Sequence, residues 1–298
     1  MEEASAAVER LWPGKKATVV ALSGGITNRN FKVGIDGETF VLRMGGTRTD
    51  LLGIDRAVEH AASLRAEETG VGPHVVAFVE SEAWLVTQFI DGRPISPEEM
   101  RTPEVLPRVA RTLRRFHDAA AIPGRFDAYA VVDTYRAEAD TYGIEVPPEF
   151  EAARGFGERI RTARGPLALV PCHNDLLNAN FLDDGDIRIV DWEYAGMGDR
   201  FFDLANFSVN HELTAGDDAR FLLAYFGVGR ETDLAALRLM RFMSDFREAM
   251  WGVLQGGISE LDFDFKGYAA KHFNRMLATA GDAEFEDYLR SVAGTRSA

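Results

Sequence analysis

The sequence predicts an α+β protein of two lobes, on three observations. The first ninety residues read as strands broken by a single helix. The break "DGRP" at 91–94 contains Gly and Pro. Beyond it the chain keeps helical spacing except at 172–192, where a short β segment is inserted. The expected organisation is an N-terminal lobe over 1–91, an antiparallel sheet with one helix, and a mainly helical C-terminal lobe over 92–298 that carries a β hairpin.

Each element has a local reason. "ATVVAL" (17–22) alternates as a strand and runs into the Gly-containing turn "SGGITNRN". "FKVGI" (31–35) and "TFVLRM" (39–44) flank Asp36-Gly37, a strong two-residue hairpin signal. In "IDRAVEHAASLRAEE" (54–68), Ile54, Ala57, Val58, Ala61 and Leu64 share one helical face, and Gly70, Gly72 and Pro73 stop the helix. "HVVAFV" and "AWLVTQFI" are two further strands, and "DGRP" is expected to act as a hinge. Ser96-Pro97-Glu98-Glu99 combines an N-cap, a Pro at the first helical position and the Glu of a capping box. Thr102-Pro103-Glu104 is expected to start a helix that buries Leu106, Val109, Ala110, Leu113 and Phe116. From about residue 217 onward three segments read as helices: "DDARFLLAYFG", "LAALRLMRFMSDFREAMWGVLQ" and "FKGYAAKHFNRMLATA".

A formal charge of −14 argues against nucleic-acid binding, which needs clustered Lys and Arg. It suits cationic small molecules, though many proteins are acidic for solubility alone. The only cysteine, Cys172, has no disulfide partner in the chain and no Cys-x-x-Cys neighbour for zinc. The start "MEEASAAVERLW" lacks the basic segment and apolar run of a signal peptide. No stretch approaches the ~18 consecutive apolar residues of a membrane span. The expectation is a cytoplasmic protein in a reducing compartment.

The chemistry is concentrated in "CHNDLLNANFLDDGDIRIVDW", Cys172 to Trp192. Asp175 follows the apolar run "LALV" (167–170), where a buried strand is expected to open into a loop. Asn180 stands at the start of a hairpin expected to turn at Asp184-Gly185, and Asp191 closes its second strand. A hairpin brings its two ends together, so Asn180 and Asp191 can face one point, with Asp175 entering from the preceding loop. Two oxygen ligands beside a carboxylate not needed for coordination suit Mg²⁺, and phosphoryl transfer needs this set. Turn chemistry accounts for Asp183, Asp184 and Asp186, but poorly for Asp175, Asn180 and Asp191. One adjacent Cys-His pair does not make a tetrahedral zinc set.

The pattern H-x-D-x-x-x-x-N, then a hairpin and Asp, resembles the catalytic and metal-binding segments of the protein-kinase-like fold. "CHNDLLNAN", "VDWEYAGMGDRFFDLAN" and "MWGVLQGGISELDFDFKGYAAKHFNRML" resemble the choline/ethanolamine kinase family, relatives of the aminoglycoside phosphotransferases. The resemblance runs from about Leu22 to Leu277. It implies ATP and Mg²⁺ as cofactors, Asp175 as catalytic base, and Asn180 and Asp191 as metal ligands. His173 would brace the catalytic loop and Asp203 support it from a helix start; Asp203 could equally be an N-cap before "LANFSV". Cys172 is a family marker without assigned chemistry.

There is no G-x-G-x-x-G and no G-x-x-x-x-G-K-[ST]. "LSGGITNRNFKV" resembles the family's phosphate-covering turn, with Ser23, Gly24, Gly25, Thr27 and Asn28 as donors. Arg43 stands where protein kinases carry a phosphate-pairing Lys, and Glu59 matches its acidic partner, or else caps a solvated helix face. Lys32 is a competing cation expected to point to solvent. Gln88, Phe89 and Ile90 would meet adenine through their backbone.

For the acceptor, Tyr194 and Trp251 match ammonium-lining aromatics, or are ordinary core aromatics. Glu248 stands where a second Trp is common, and Asn210 where an acidic residue is common. The implied activity is ATP-dependent phosphorylation of the hydroxyl of a small amino alcohol, choline or ethanolamine first, with a homodimer as a possible assembly. The alternatives are a sibling kinase for thiamine, an aminoglycoside or another hydroxylated metabolite, and a catalytically silent nucleotide-binding regulator. No Asp-Phe-Gly or Ala-Pro-Glu segment of a protein kinase follows Asp191.

Overall fold

The structure, a computed structural model, describes residues 1–22, 27–46 and 48–294. The N-terminal part comprises α1 (Glu2–Leu11), β1 (Ala17–Ala21), β2 (Asn28–Ile35), β3 (Glu38–Gly45), α2 (Arg56–Glu68), β4 (Val75–Val79) and β5 (Trp84–Gln88). The five strands form one antiparallel sheet in the order β1-β2-β3-β5-β4. Ile35 pairs with Glu38 across the Asp36-Gly37 turn, and both turn residues take positive φ, as the sequence predicts.

Two expectations fail here. The segment beginning "MEEASAAVERL" forms α1, whose Ala4, Ala7 and Val8 pack on Phe31, Val33 and Leu42. Its i, i+3, i+4 spacing was present in the sequence. The second failure is the face of α2. The helix turns Glu59, Ala62, Ser63 and Ala66 inward, and leaves Ala57 and Leu64 exposed. A buried cation on β3 takes Glu59 as its partner, and that pairing outweighs burying Leu64.

The C-terminal part comprises β6 (Arg93–Pro94), α3 (Pro97–Met100), α4 (Leu106–His117), α5 (Ala128–Thr141), α6 (Glu149–Arg164), β7 (Val170–Cys172), β8 (Phe181–Asp183), β9 (Ile187–Ile189), β10 (Gly196–Gly198) and α7 (Arg200–Asn210). Four helices complete it: α8 (Ala215–Phe226), α9 (Glu231–Ile258), α10 (Phe265–Ala280) and α11 (Phe285–Gly294). The capping box at Ser96 and Glu99 is present. The helix expected from Thr102 begins at Leu106, because the Thr102 hydroxyl accepts the Val105 N–H in a preceding turn.

The strand expected at 167–170 forms at Val170–Cys172 and pairs with β10, leaving Leu167 and Leu169 exposed. The hairpin pairs Asp183 with Ile187, so its loop holds three residues, Asp184 to Asp186, instead of two. "DGRP" is not a free linker: Arg93 and Pro94 pair with Asp183 and Leu182 as the hairpin's third strand. Arg108 on α4 clamps Asp183 with hydrogen bonds of 2.9 and 2.8 Å.

The 28-residue α9 is the spine of this half. It is buried around most of its circumference from Ala235 to Gln255, against α5, α7, α10 and α11. Ser244, Asp245, Arg247 and Glu248 are therefore carried into the interior on an apolar helix.

Candidate active site

β7 delivers His173, Asn174 and Asp175 into a tight turn in which Asn174 takes a left-handed φ of 66°. Asp203, in the first turn of α7, accepts the backbone N–H groups of His173 and Asn174, each at 2.7 Å. It also accepts from His117 Nε2 at 3.0 Å, and the Tyr225 hydroxyl donates to His117 Nδ1 at 2.7 Å. Asp203 is not the N-cap of α7; Asp199 is, accepting the Phe201 N–H.

His173 Nε2 donates to the Val190 carbonyl at 3.0 Å, while its Nδ1 accepts the Asp175 N–H at 3.2 Å. Burial lowers its pKa, so the neutral ring spaces the loop from the hairpin. The Leu176 N–H is taken by Asn206, which is held in turn by Ser244 at 3.0 Å. His117, Asn206 and Ser244 were not singled out in the sequence. Nothing in their local spacing marks them.

Asn180 and Asp191 lie at the two ends of the hairpin, as its geometry requires. Asn180 Nδ2 donates to the Asp175 carbonyl at 2.9 Å, and Val190 N–H donates to the Asn180 carbonyl at 3.0 Å. Asp191 takes a left-handed φ of 68°. Both side chains line a cavity of about 450 Å³, together with Arg43, Gln88, Phe89 and Ile90. The Asp175 carboxyl is buried, and its pKa is pushed up to about 8; desolvation is the main cause, opposed by Arg247.

Arg43 projects from β3 and is bonded to both Glu59 and Asp191. A second cation, Arg56, bonds Glu59 at 2.6 Å, Glu193 at 3.2 Å and Asn28 at 2.9 Å. Asn28 also donates to Glu193 at 2.8 Å, and the Thr27 hydroxyl bonds the same carboxylate. Thr27 and Asn28, read as phosphate donors, are thus engaged with Glu193; Ser23, Gly24 and Gly25 lie outside the described residues. Sequence reading missed Arg56 and Glu193. Burial raises the pKa of Glu193, the largest effect on it.

Lys32, expected in solvent, is half-buried with Nζ 3.8 Å from the centre of the Phe89 ring. The Gln88 and Phe89 N–H groups are already donated, to the His74 and Thr39 carbonyls.

Tyr194, Glu248 and Trp251 come together on the far side of Asp175. Trp251 Nε1 donates to the Tyr194 hydroxyl at 3.1 Å, and the Tyr268 hydroxyl donates to Glu248 at 2.7 Å. Trp251 packs edge-on against Phe265 and Tyr268. Arg247, also missed in the sequence, bonds Glu248, reaches Asp175 at 3.4 Å, and lies 4.3 Å from the centre of the Tyr194 ring. Asn210, at the end of α7, turns its amide to the Leu176 carbonyl at 3.5 Å, outside this cluster.

Residues 18–240 match the phosphotransferase enzyme family. A choline/ethanolamine kinase family protein from Mesorhizobium loti is 30% identical, with a TM-score of 0.84 over 98% of this chain and 99% of its own. Ethanolamine kinase 1 of Mus musculus is 27% identical over 89% of this chain and 85% of its own. The choline kinase LicA from Streptococcus pneumoniae, 21% identical, has the same fold, with a TM-score of 0.78 over 94% of this chain and 99% of its own. Among the described residues no helix is long and apolar enough to cross a membrane. With the interlobe cavity, the paired loop and hairpin, and this similarity over nearly the whole chain, the protein belongs to the choline/ethanolamine kinase branch of the phosphotransferase enzyme family and is a small-molecule kinase.

Proposed function

We propose that the protein transfers the γ-phosphoryl group of ATP to the hydroxyl of a small amino alcohol, with choline and ethanolamine as first candidates. The observation that carries this is the position of Asp175. Its backbone carbonyl holds Asn180 on the cavity wall, and its carboxylate borders the Tyr194–Glu248–Trp251 cluster through Arg247. One residue thus stands between a nucleotide-sized cleft and an aromatic, carboxylate-bearing cluster of the kind that holds ammonium ions.

In this reading the adenine lies between apolar walls that include Val41, Leu85 and Val190. With the Gln88 and Phe89 N–H groups committed, Ile90 and backbone carbonyls are left to meet it. Arg43, oriented by Glu59, pairs with phosphate oxygens. The donor set on the cavity wall fits Mg²⁺. Asn180 commits its amide nitrogen to Asp175, which turns its oxygen outward, and one Asp191 oxygen carries no protein bond among the described residues. Bound by Asn180 and Asp191, Mg²⁺ would supply charge neutralisation of the β- and γ-phosphates. Asp175 orients the acceptor hydroxyl and takes its proton as the oxygen attacks phosphorus and the bond to ADP breaks.

A substrate panel tests this. ADP release with MgATP is measured against ethanolamine, choline, thiamine, homoserine and aminoglycosides. Turnover is expected with an amino alcohol. Turnover confined to another class, or to none, overturns the acceptor reading.

A further inference from the structure

We infer that Arg247 is the resident occupant of the acceptor's cation site, and that an amine acceptor binds by displacing it. The inference rests on the amino-alcohol reading above and names the residue that sets the site's selectivity.

Four observations carry it. First, the guanidinium carbon lies 4.3 Å from the centre of the Tyr194 ring, where a bound ammonium would gain most from the ring face. Second, the same guanidinium is bonded to Glu248 and lies 3.4 Å from Asp175, so it already satisfies the two carboxylates that would attract an ammonium. Third, the surrounding cage is complete without a ligand. Trp251 fixes the Tyr194 hydroxyl, and Tyr268 fixes Glu248. Arg247, Glu248, Tyr194 and Trp251 are all buried, and none of them lines the nucleotide cavity. Fourth, Nε and Nη2 of Arg247 are buried without a hydrogen-bond partner among the described residues. An arginine that held this position for structural reasons alone would be expected to have those donors paired. Here they carry an unmet desolvation cost that hydration would relieve once the side chain leaves the cage.

Displacement has a second consequence. Arg247 also restrains the Asp175 carboxylate, so a cation that takes its place frees the group that must face the acceptor hydroxyl. Recognition of the amine and release of the base become one event. A neutral alcohol of the same size lacks the charge to displace the guanidinium, and the site discriminates against it.

The test uses the full chain with Arg247→Met and Arg247→Ala. In R247M the KM for ethanolamine should fall about tenfold or more, because the acceptor no longer competes with a tethered cation. In R247A, methylguanidinium should raise the melting temperature without ATP and compete with ethanolamine, and wild type should need about tenfold more of it or above for either effect; equal potency on the two overturns the inference. A higher ethanolamine KM in R247M, or a loss of kcat at unchanged KM, overturns the inference and makes Arg247 a direct binding or positioning residue. So does tighter binding of a hydroxy acid to wild type than to R247M, which would make it an anion receptor. If R247M does not fold, the uncharged R247Q decides instead: a KM equal to or above that of wild type overturns the inference. Absence of amine turnover in wild type is a failure of the proposed function. The methylguanidinium melt, which needs no turnover, keeps the two failures apart.

Discussion

Asp203 accepts the backbone N–H of His173 at 2.7 Å from thirty positions further along the chain. The same carboxylate holds Asn174 and His117, so a single buried side chain sets the path of the loop that carries Asp175. Replacing it by Asn leaves one of these buried donors facing an amide NH₂. D203N should lose about 1–3 kcal/mol of stability and lower kcat more than it raises either KM. An unchanged kcat in a folded D203N, checked by thermal melting and steady-state kinetics, would reject the positioning role.

Asp175 itself is expected to act on the chemical step alone. D175A should reduce kcat by about 10²–10⁴-fold, with nucleotide affinity nearly intact by titration calorimetry. Unchanged turnover would remove it from the mechanism.

Arg43 and Glu59 form a buried pair whose other contacts reach Asp191 and Arg56. If the pair works as a unit on ATP, R43M and E59Q should each raise the ATP KM, and the double variant should cost less than the sum. A coupling of about 0.5–3 kcal/mol is expected in the double-mutant cycle. Simple additivity would show that Glu59 serves only Arg56.

Trp251 tests the proposed acceptor cage. W251A should raise the amine KM by about tenfold and leave the ATP KM unchanged. W251F keeps an aromatic ring but loses the hydrogen bond to Tyr194, and should fall between. Equal losses for both substrates would assign Trp251 to lobe packing.

If the cluster holds the acceptor as proposed, Glu248 offers a carboxylate to which an ammonium with N–H donors can hydrogen-bond and a quaternary one cannot. The KM is therefore expected to rise along the series ethanolamine, N,N-dimethylethanolamine, choline, and the slope should flatten in E248Q. A lower KM for choline than for ethanolamine in wild type would count against this role.

How much of this was legible in the sequence depends on the range of each interaction. Asn180, Asp191 and Asp175 could be placed together because a hairpin is a local device: its turn sets the meeting of its ends within some sixteen residues. Patterning and capping were likewise enough for the N-terminal sheet, the capping box at Ser96 and the helices α8, α9 and α10. Only the tertiary structure decided which face of α2 turns inward, because Glu59 is buried by a cation on another strand and not by its own periodicity. It also decided that Glu193 gathers Thr27, Asn28 and Arg56 from 137 positions away or more. Arg247 was invisible for the same reason. On the sequence it is one more charge on a long helix. The packing of α9 among its neighbours makes it a buried cation above Tyr194, since desolvation leaves a charge no partners but those the fold brings to it.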